Sequence, residues 1–490
     1  MLKILRLLLI VNLAFAYSEL IHAEGLKTAG IASAHPLATK AGYEILEQGG
    51  NAFDAAVTVS AVLSVVEPYS SGLGGGGFFL LHSIEKDESI FIDAREKAPS
   101  MANRDMYLDK NGDVLRTASL NGPLASGIPG LPAALHHVSN KHGSMPLYKL
   151  LQPAIRLARE GFPAYERLIT ALTVAERSRT LSPKFKAVFM PNGKLPNVGE
   201  IIKQPELAKT LEIIASSGQE GFYNSFFTET MVQEARQDGS IWLEEDFENY
   251  SVVEREPITI NFLGAQLTTA PPPSSGGTTI ATILNIISEF DFSGMETSAR
   301  AHLIVEAMRR AYRDRAFYLG DPDFVDIPIR KLISKEHALD LAQSIDMDAA
   351  TPIHMDDQLD GKLAWNEGAH TSHFSILDMN GNRAAVTQTI NTWFGSGYML
   401  PSSGLILNNE MDDFSAKPFA PNRYGLVHGE QNSIQPNKRM LSSMTPTFIE
   451  SDRGIAILGT PGGARIITMV LLSILDYFDG GDAKSMTASK

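Results

Sequence analysis

The pattern of apolar and polar positions changes period several times along the chain. Ala38–Gln48 reads as a helix that Gly49-Gly50 stops. Asn51 then caps a second helix, with Asp54 three residues on as a variant of the capping box. From Ala55 to Val66 this helix is apolar nearly all round, the mark of burial on every side, and Pro68 ends it. Phe78–Leu81 and Ser89–Ile92 read as strands. Helical periodicity returns near 147–160, 164–178 and 205–216, and the Pro-, Lys- and Asn-containing stretch Ser182–Gly199 is expected to be a surface excursion. Residues 256–270 predict two strands, Pro271–Gly277 a rigid turn into a helix, and 298–318 a further helix with Ile304, Met308 and Ala311 on one face. Ile466–Phe478 is again helix-like. Pattern alone therefore reaches a mixed α and β chain.

One hairpin carries more than fold information. Thr371–Leu377 and Arg383–Thr389 alternate on either side of Asn380-Gly381. A three-residue loop, Met379-Asn380-Gly381, would use Gly381 in the left-handed conformation and pair Asp378 with Asn382. That register runs on to set Thr371 opposite Thr389. Directly opposed residues lie about 4.5–5.5 Å apart at Cβ, so two hydroxyls would face each other at a strand end. A Thr–Thr pair also occurs as an ordinary cross-strand contact, and a bulge or a two-residue loop would shift the register by one.

Other segments accompany this hairpin in order: Gly49-Gly50-Asn51-Ala52-Phe53-Asp54-Ala55-Ala56, Gly72-Leu73-Gly74-Gly75-Gly76-Gly77, Asp93-Ala94-Arg95-Glu96, Pro271–Gly277, Tyr318-Leu319-Gly320-Asp321-Pro322, Leu407–Ser415, Pro436–Ser443 and Thr460-Pro461-Gly462-Gly463. With them, nearly the whole chain after about residue 24 resembles the γ-glutamyltransferase (γ-glutamyl transpeptidase) family of N-terminal nucleophile hydrolases. The resemblance implies an α+β fold, the four-layer αββα sandwich. It implies cleavage between His370 and Thr371, performed by the Thr371 hydroxyl itself, into pieces of about 24–370 and 371–490 folded as one unit.

Thr371 would then be the nucleophile, oriented by Thr389. Chemistry explains the need for the cut: a threonine hydroxyl requires an adjacent base, and a free α-amine with a pKa near about 7.7–8.0 can serve where an amide cannot. The resemblance also assigns Arg95, Ser442 and Ser443 to the α-carboxylate of a γ-glutamyl group. Asn391, Glu410 and Asp413 would hold its ammonium, and the backbone N–H groups of Gly462 and Gly463 would form an oxyanion hole. Tyr424 would belong to a lid within Ser415–Arg439. Singly, Arg95 reads as a salt-bridge residue, Asp412-Asp413 as a turn, and Ser442-Ser443 or Pro461-Gly462-Gly463 as loops. His373 invites a triad reading, but the motif gives it no catalytic part and a supporting role in the strand is expected.

Composition narrows the setting. The chain has 490 residues, is 44% hydrophobic and 20% charged, and carries a net charge of −14. An acidic balance argues against nucleic-acid or anionic-membrane partners. The absence of cysteine excludes thiol catalysis and disulfides, and the 12 histidines show no metal-ligand spacing. No cofactor and no catalytic metal are expected. The partners expected are a small γ-glutamyl donor resembling glutathione, and an amino acid, a peptide or water as acceptor.

Lys3 and Arg6 followed by apolar Leu7–Ala16 predict a signal peptide within 1–23, cut after Ala16 or Ala23, and hence export to the periplasm or the exterior. The polar stretch 340–369, with Asp356, Asp357 and Asp360, is expected to be a solvated leader to the processing site. At the other end, members of the family usually continue for several dozen residues beyond the point where Asp479–Lys490 closes this sequence. Part of the small subunit is therefore expected to be missing, at a cost in stability, processing and activity. The alternatives are a related acylase acting on cephalosporins or poly-γ-glutamate, and a truncated inactive exported remnant.

Overall fold

The computed structural model describes residues 28–352 and 370–488, so the export signal and Asp356, Asp357 and Asp360 of the leader lie outside the described residues. Strands are β1 (Gly30–Ala32), β2 (Gly76–Ser83), β3 (Glu88–Ala94), β4 (Phe162–Pro163), β5 (Ile201–Ile202) and β6 (Val253–Arg255). They continue with β7 (Ile258–Phe262), β8 (Ala265–Thr269), β9 (Ser372–Leu377), β10 (Arg383–Thr389), β11 (Thr447–Ser451) and β12 (Gly454–Leu458). One six-stranded sheet runs β1-β9-β10-β2-β3-β6, a second runs β12-β11-β8-β7, and β4-β5 form a small ribbon. All pairings are antiparallel.

Alternation along the strands builds the layers. Phe79, Leu81, Ile92, Phe374, Ile376, Ala384 and Val386 point to one face and pack against the helices Pro36–Glu47, Ala52–Val66, Leu131–Lys141 and Leu147–Glu160. Their neighbours Phe78, Leu80, Phe91 and Ala385 point to the other face and meet Ile260, Leu267, Phe448 and Ile449 of the second sheet. Helices Gly276–Ile287, Thr297–Tyr318 and Ile466–Phe478 cover that sheet from outside. The result is the αββα order, with both sheets drawing strands from either side of residue 370.

Local chemistry explains the key elements. The Ala52–Val66 helix is buried along its whole length and begins with the expected box: Asn51 Oδ1 accepts from the Phe53 and Asp54 N–H groups at 2.9 Å, and the Asn51 N–H donates back to Asp54 Oδ2 at 2.9 Å. The hairpin has the predicted register, with Arg383 opposite Leu377 and Gln388 opposite Ser372. Gly381 has φ of +96°, and the Asp378 N–H donates to the Asn382 carbonyl at 3.0 Å. The Asp378 carboxylate collects the N–H groups of Asn380 and Asn382 and, at 3.0 Å, that of Ala52. The turn is thereby tied to the start of the buried helix.

The glycine run before β2 serves close approach. Gly76 pairs with Thr389, and a Cβ on Gly75 would lie 2.0 Å from the Thr389 carbonyl oxygen. One expectation needs correction. Ser182–Gly199 is not wholly a surface excursion: Pro183–Phe189 is a helix whose Phe185 and Phe189 are buried. Their rings lie 5.0 and 5.8 Å from that of Phe394. The i,i+4 aromatic pair outweighs the polar residues around it.

Gly75→Ala should lower stability by about 1–3 kcal/mol or more, the range for forcing atoms into a packed core, because the clash is with backbone. Gly30→Ala, where an added Cβ meets nothing within 4 Å, should be close to neutral. Equal melting temperatures for the two variants would contradict this account of the glycine run.

Candidate active site

Thr371 immediately precedes β9 and Thr389 closes β10, so the register brings their hydroxyl oxygens to 3.3 Å. Both reach the carbonyl oxygen of His370, at 2.6 Å from Thr371 and 3.0 Å from Thr389. The Asn391 N–H donates to Thr389 Oγ1 at 2.9 Å, which leaves the single Thr389 proton for the carbonyl. Two hydroxyls thus clasp the carbonyl of the bond expected to break, and Thr371 is itself buried. His370 Nδ1 accepts from the Trp393 N–H at 3.1 Å. Burial holds the His370 imidazole down to about 3, with the guanidinium groups of Arg179, Arg423, Arg465 and Arg167 adding to the effect, so it is neutral at working pH.

Behind the threonines lies a pocket lined by Arg95, Asn391, Glu410, Asp413, Tyr424, Ser442, Ser443 and Gly463 together with Thr371 and Thr389. Every predicted binding residue is therefore in one place. Gly462, with φ of +144°, stands directly before Gly463. A Cβ on Gly463 would meet the Tyr424 ring at 2.7 Å. His373 is elsewhere occupied, with Nδ1 2.9 Å from Thr387 Oγ1 and Nε2 3.2 Å from Ser375 Oγ, as a supporting strand histidine would be.

Arg95 follows β3 and is held from three sides. Its N–H donates to Asp93 Oδ1 at 3.0 Å, its carbonyl accepts from the Tyr250 hydroxyl at 2.9 Å, and its Nε donates to the Met440 carbonyl at 3.2 Å. Its fork is not presented open. Nη1 donates to Glu410 Oε2 at 2.7 Å and Nη2 to Asp413 Oδ2 at 2.6 Å, with Glu96 Oε2 3.4 Å from Nη1. The guanidinium expected for a carboxylate and the acids expected for an ammonium thus neutralise each other.

The neutralisation is incomplete, because one guanidinium faces three carboxylates. Burial opposes the Arg95 charge, yet Glu410, Glu96 and Asp413 together hold it above the ordinary arginine value. Burial pushes all three acids up despite Arg95, Glu96 to about 7. Glu96 Oε1 and Glu410 Oε1 are buried without a hydrogen-bond partner. Such a cluster is balanced either by protonation of an acid or by an added cation.

Several supports were not identified from the sequence. Glu96 is the third acid. Asn408 ties the acidic turn to the glycine run, its Nδ2 donating to the Gly74 carbonyl at 2.7 Å and its Oδ1 accepting from the Glu410 N–H at 3.0 Å. Both residues stand inside quoted motifs, and that adjacency was the available signal. Arg179 lies far away in sequence, and its Nη1 donates to Thr392 Oγ1 at 3.1 Å. The Tyr424 segment closes over the pocket. The Tyr424 hydroxyl donates to the Asn391 carbonyl at 2.9 Å, and Asn422 Nδ2 donates to Asp413 Oδ1 at 3.2 Å. His428 anchors its far side, with Nδ1 3.4 Å from Arg315 Nη1.

The family described as Gamma-glutamyltranspeptidase matches residues 38–489. The Glutathione hydrolase proenzyme of Escherichia coli is 43% identical over 467 residues, covering 94% of this chain and 80% of that protein. That of Bacillus subtilis is 36% identical over 487 residues, covering 95% and 80%. Among solved structures, cephalosporin acylase from Bacillus halodurans superposes with a TM-score of 0.81 at 27% identity, covering 94% of this chain and 82% of that one. Helicobacter pylori gamma-glutamyltranspeptidase gives 0.64 at 38% identity, covering 69% and 97%.

Burial, with Arg315 adding to it, keeps His428 neutral well below the ordinary histidine value. In the unfolded chain this imidazole protonates near pH 6.5. Protons therefore bind the unfolded state preferentially as pH falls below about 6.5, and stability drops. Denaturant titrations at pH 7 and pH 5 should show a smaller loss for His428→Gln than for the unaltered protein; an equal loss would mean that His428 does not contribute.

Proposed function

The chain belongs to the gamma-glutamyltranspeptidase family, and from this premise we propose that it is a self-processing γ-glutamyltransferase and glutathione hydrolase. The observation that carries the reading is the double-hydroxyl clasp on the His370 carbonyl at the mouth of a pocket lined by Arg95, Glu410 and Asp413.

In processing, Thr371 Oγ1 attacks the His370 carbonyl carbon while Thr389 polarises the carbonyl oxygen. The C–N bond breaks, the amide nitrogen takes the hydroxyl proton, and an ester joins His370 to the Thr371 side chain. Water hydrolyses that ester, leaving a carboxylate on His370 and a free α-amine on Thr371. The amine then accepts the proton of its own hydroxyl during attack on a γ-glutamyl amide and returns it to the leaving amine. Gly462 and Gly463 offer N–H groups to the oxyanion. The γ-glutamyl ester on Thr371 passes to water or to the amine of an amino acid or peptide.

Recognition follows from the charge excess. The α-ammonium of the donor fills the place next to Glu410 and Asp413, with Asn391 beside it. Its carboxylate draws on Arg95, Ser442 and Ser443. Tyr424 covers the bound group. A simple glutaryl acid has no ammonium and would add a further negative charge beside three buried acids without offering them a cation. This consideration favours the glutamyl substrate, although the acylase scaffold superposes well. The Lys3 and Arg6 start followed by Leu7–Ala16 supports export to the periplasm or the exterior. The pieces 24–370 and 371–490 would be the large and small subunits.

Thr371→Ala should give one uncut band on a denaturing gel and no release from a chromogenic γ-glutamyl anilide. Turnover by that variant would refute the assigned nucleophile. Arg95→Lys, which loses the fork that pairs with two acids, should reduce kcat/KM about 10- to 100-fold, chiefly through KM, since a hydrogen bond to a charged group contributes about 1.5–3 kcal/mol. Unchanged kinetics would remove Arg95 from substrate binding.

A further inference from the structure

The nucleophile pocket makes no use of His137, His142 and Glu254. His137 lies in the helix Leu131–Lys141, His142 is the residue capping its C-terminus, and Glu254 projects from edge strand β6. His142 borders a cleft shared with Asn380 and Asn382 at the turn of the β9–β10 hairpin. Thr371 is at the opposite end of that hairpin, about 20 Å away along a six-residue strand.

The three side chains converge. His137 Nε2 lies 2.6 Å and His142 Nε2 3.5 Å from the same oxygen, Glu254 Oε1. One donor atom from each of the three falls within 4.8 Å of the others. Ligands about 2.1 Å from a tetrahedral zinc ion stand about 3.4 Å from one another, so only small side-chain movements separate this arrangement from a coordination shell. His142 Nε2 is buried and makes no hydrogen bond of suitable geometry. A cation already lies against this carboxylate: Lys141 Nζ is 3.2 Å from Glu254 Oε1, at the end of a side chain that is 57% exposed.

We propose that His137, His142 and Glu254 bind one zinc-class divalent ion, fastening the end of the Leu131–Lys141 helix to β6. Two imidazoles and one carboxylate suit zinc and its neighbours, whereas magnesium and calcium prefer oxygen-only shells. The role is structural. β6 pairs through only three residues, Val253, Glu254 and Arg255, so a clamp there supports the sheet edge whose Arg255 holds Asp93 at 2.9 Å.

Calorimetric titration of the chelator-treated full chain with zinc chloride tests this, with magnesium chloride as control. The expected result is one zinc per chain at pH 7.5, no magnesium binding, and at least tenfold weaker zinc binding in Glu254→Gln and His137→Gln. Lys141→Met should bind more tightly than the unaltered chain, because the competing ammonium is gone. Circular dichroism establishes that the variants are folded. Absence of stoichiometric zinc binding, or equal affinity in the unaltered chain and folded Glu254→Gln, overturns the proposal.

Discussion

The site depends on the register of one hairpin. Thr371 and Thr389 share the His370 carbonyl only because Asp378 pairs with Asn382 at the other end of the same two strands. A slip of one residue would turn every side chain of β9 to the opposite face. Three independent features prevent this. Gly381 accommodates the left-handed turn, Asp378 binds both the turn and the first N–H of the buried helix, and the two faces of the strand are claimed by different cores. The glycine run before β2 then lets a further strand approach Thr389 from the other side.

The second constraint is electrostatic. Burying three carboxylates around one guanidinium is unfavourable unless something completes the charge balance. Arg95 is held rigidly by Asp93, Met440 and Tyr250, and the acidic turn is anchored by Asn408. These contacts hold the opposed charges together, which supports the proposed use of the cluster for an ammonium. This organisation supports the proposed division of recognition from reaction, with the threonine clasp as the reacting centre and the charge cluster as the selector of the group brought to it. A scaffold shared with a cephalosporin acylase is consistent with that division, since the fold can be kept while the recognition groups differ.

Much of the site was legible because its residues lie in short contiguous motifs. Thr371, Thr389, Arg95, Glu410, Asp413, Ser442, Ser443 and Gly463 were all named from the sequence and all line one pocket. The hairpin register was legible for a physical reason: turn chemistry and period-two alternation are local properties. The engagement of Arg95 by Glu410 and Asp413 was not legible, since those partners are 315 and 318 residues away. Nor was the burial of Phe185 and Phe189, whose partner Phe394 is also remote in sequence.

Composition, period and motif order determined the kind of protein by themselves: a cysteine-free acidic chain of mixed elements, with a threonine hairpin and a dispersed set of candidate site residues. Tertiary structure alone decided which charges meet, because the energy of a buried ion depends on neighbours that chain folding brings from hundreds of residues away. The charge excess around Arg95 and the convergence of His137 and His142 on Glu254 both arise in this way. No spacing in the linear sequence encodes either of them.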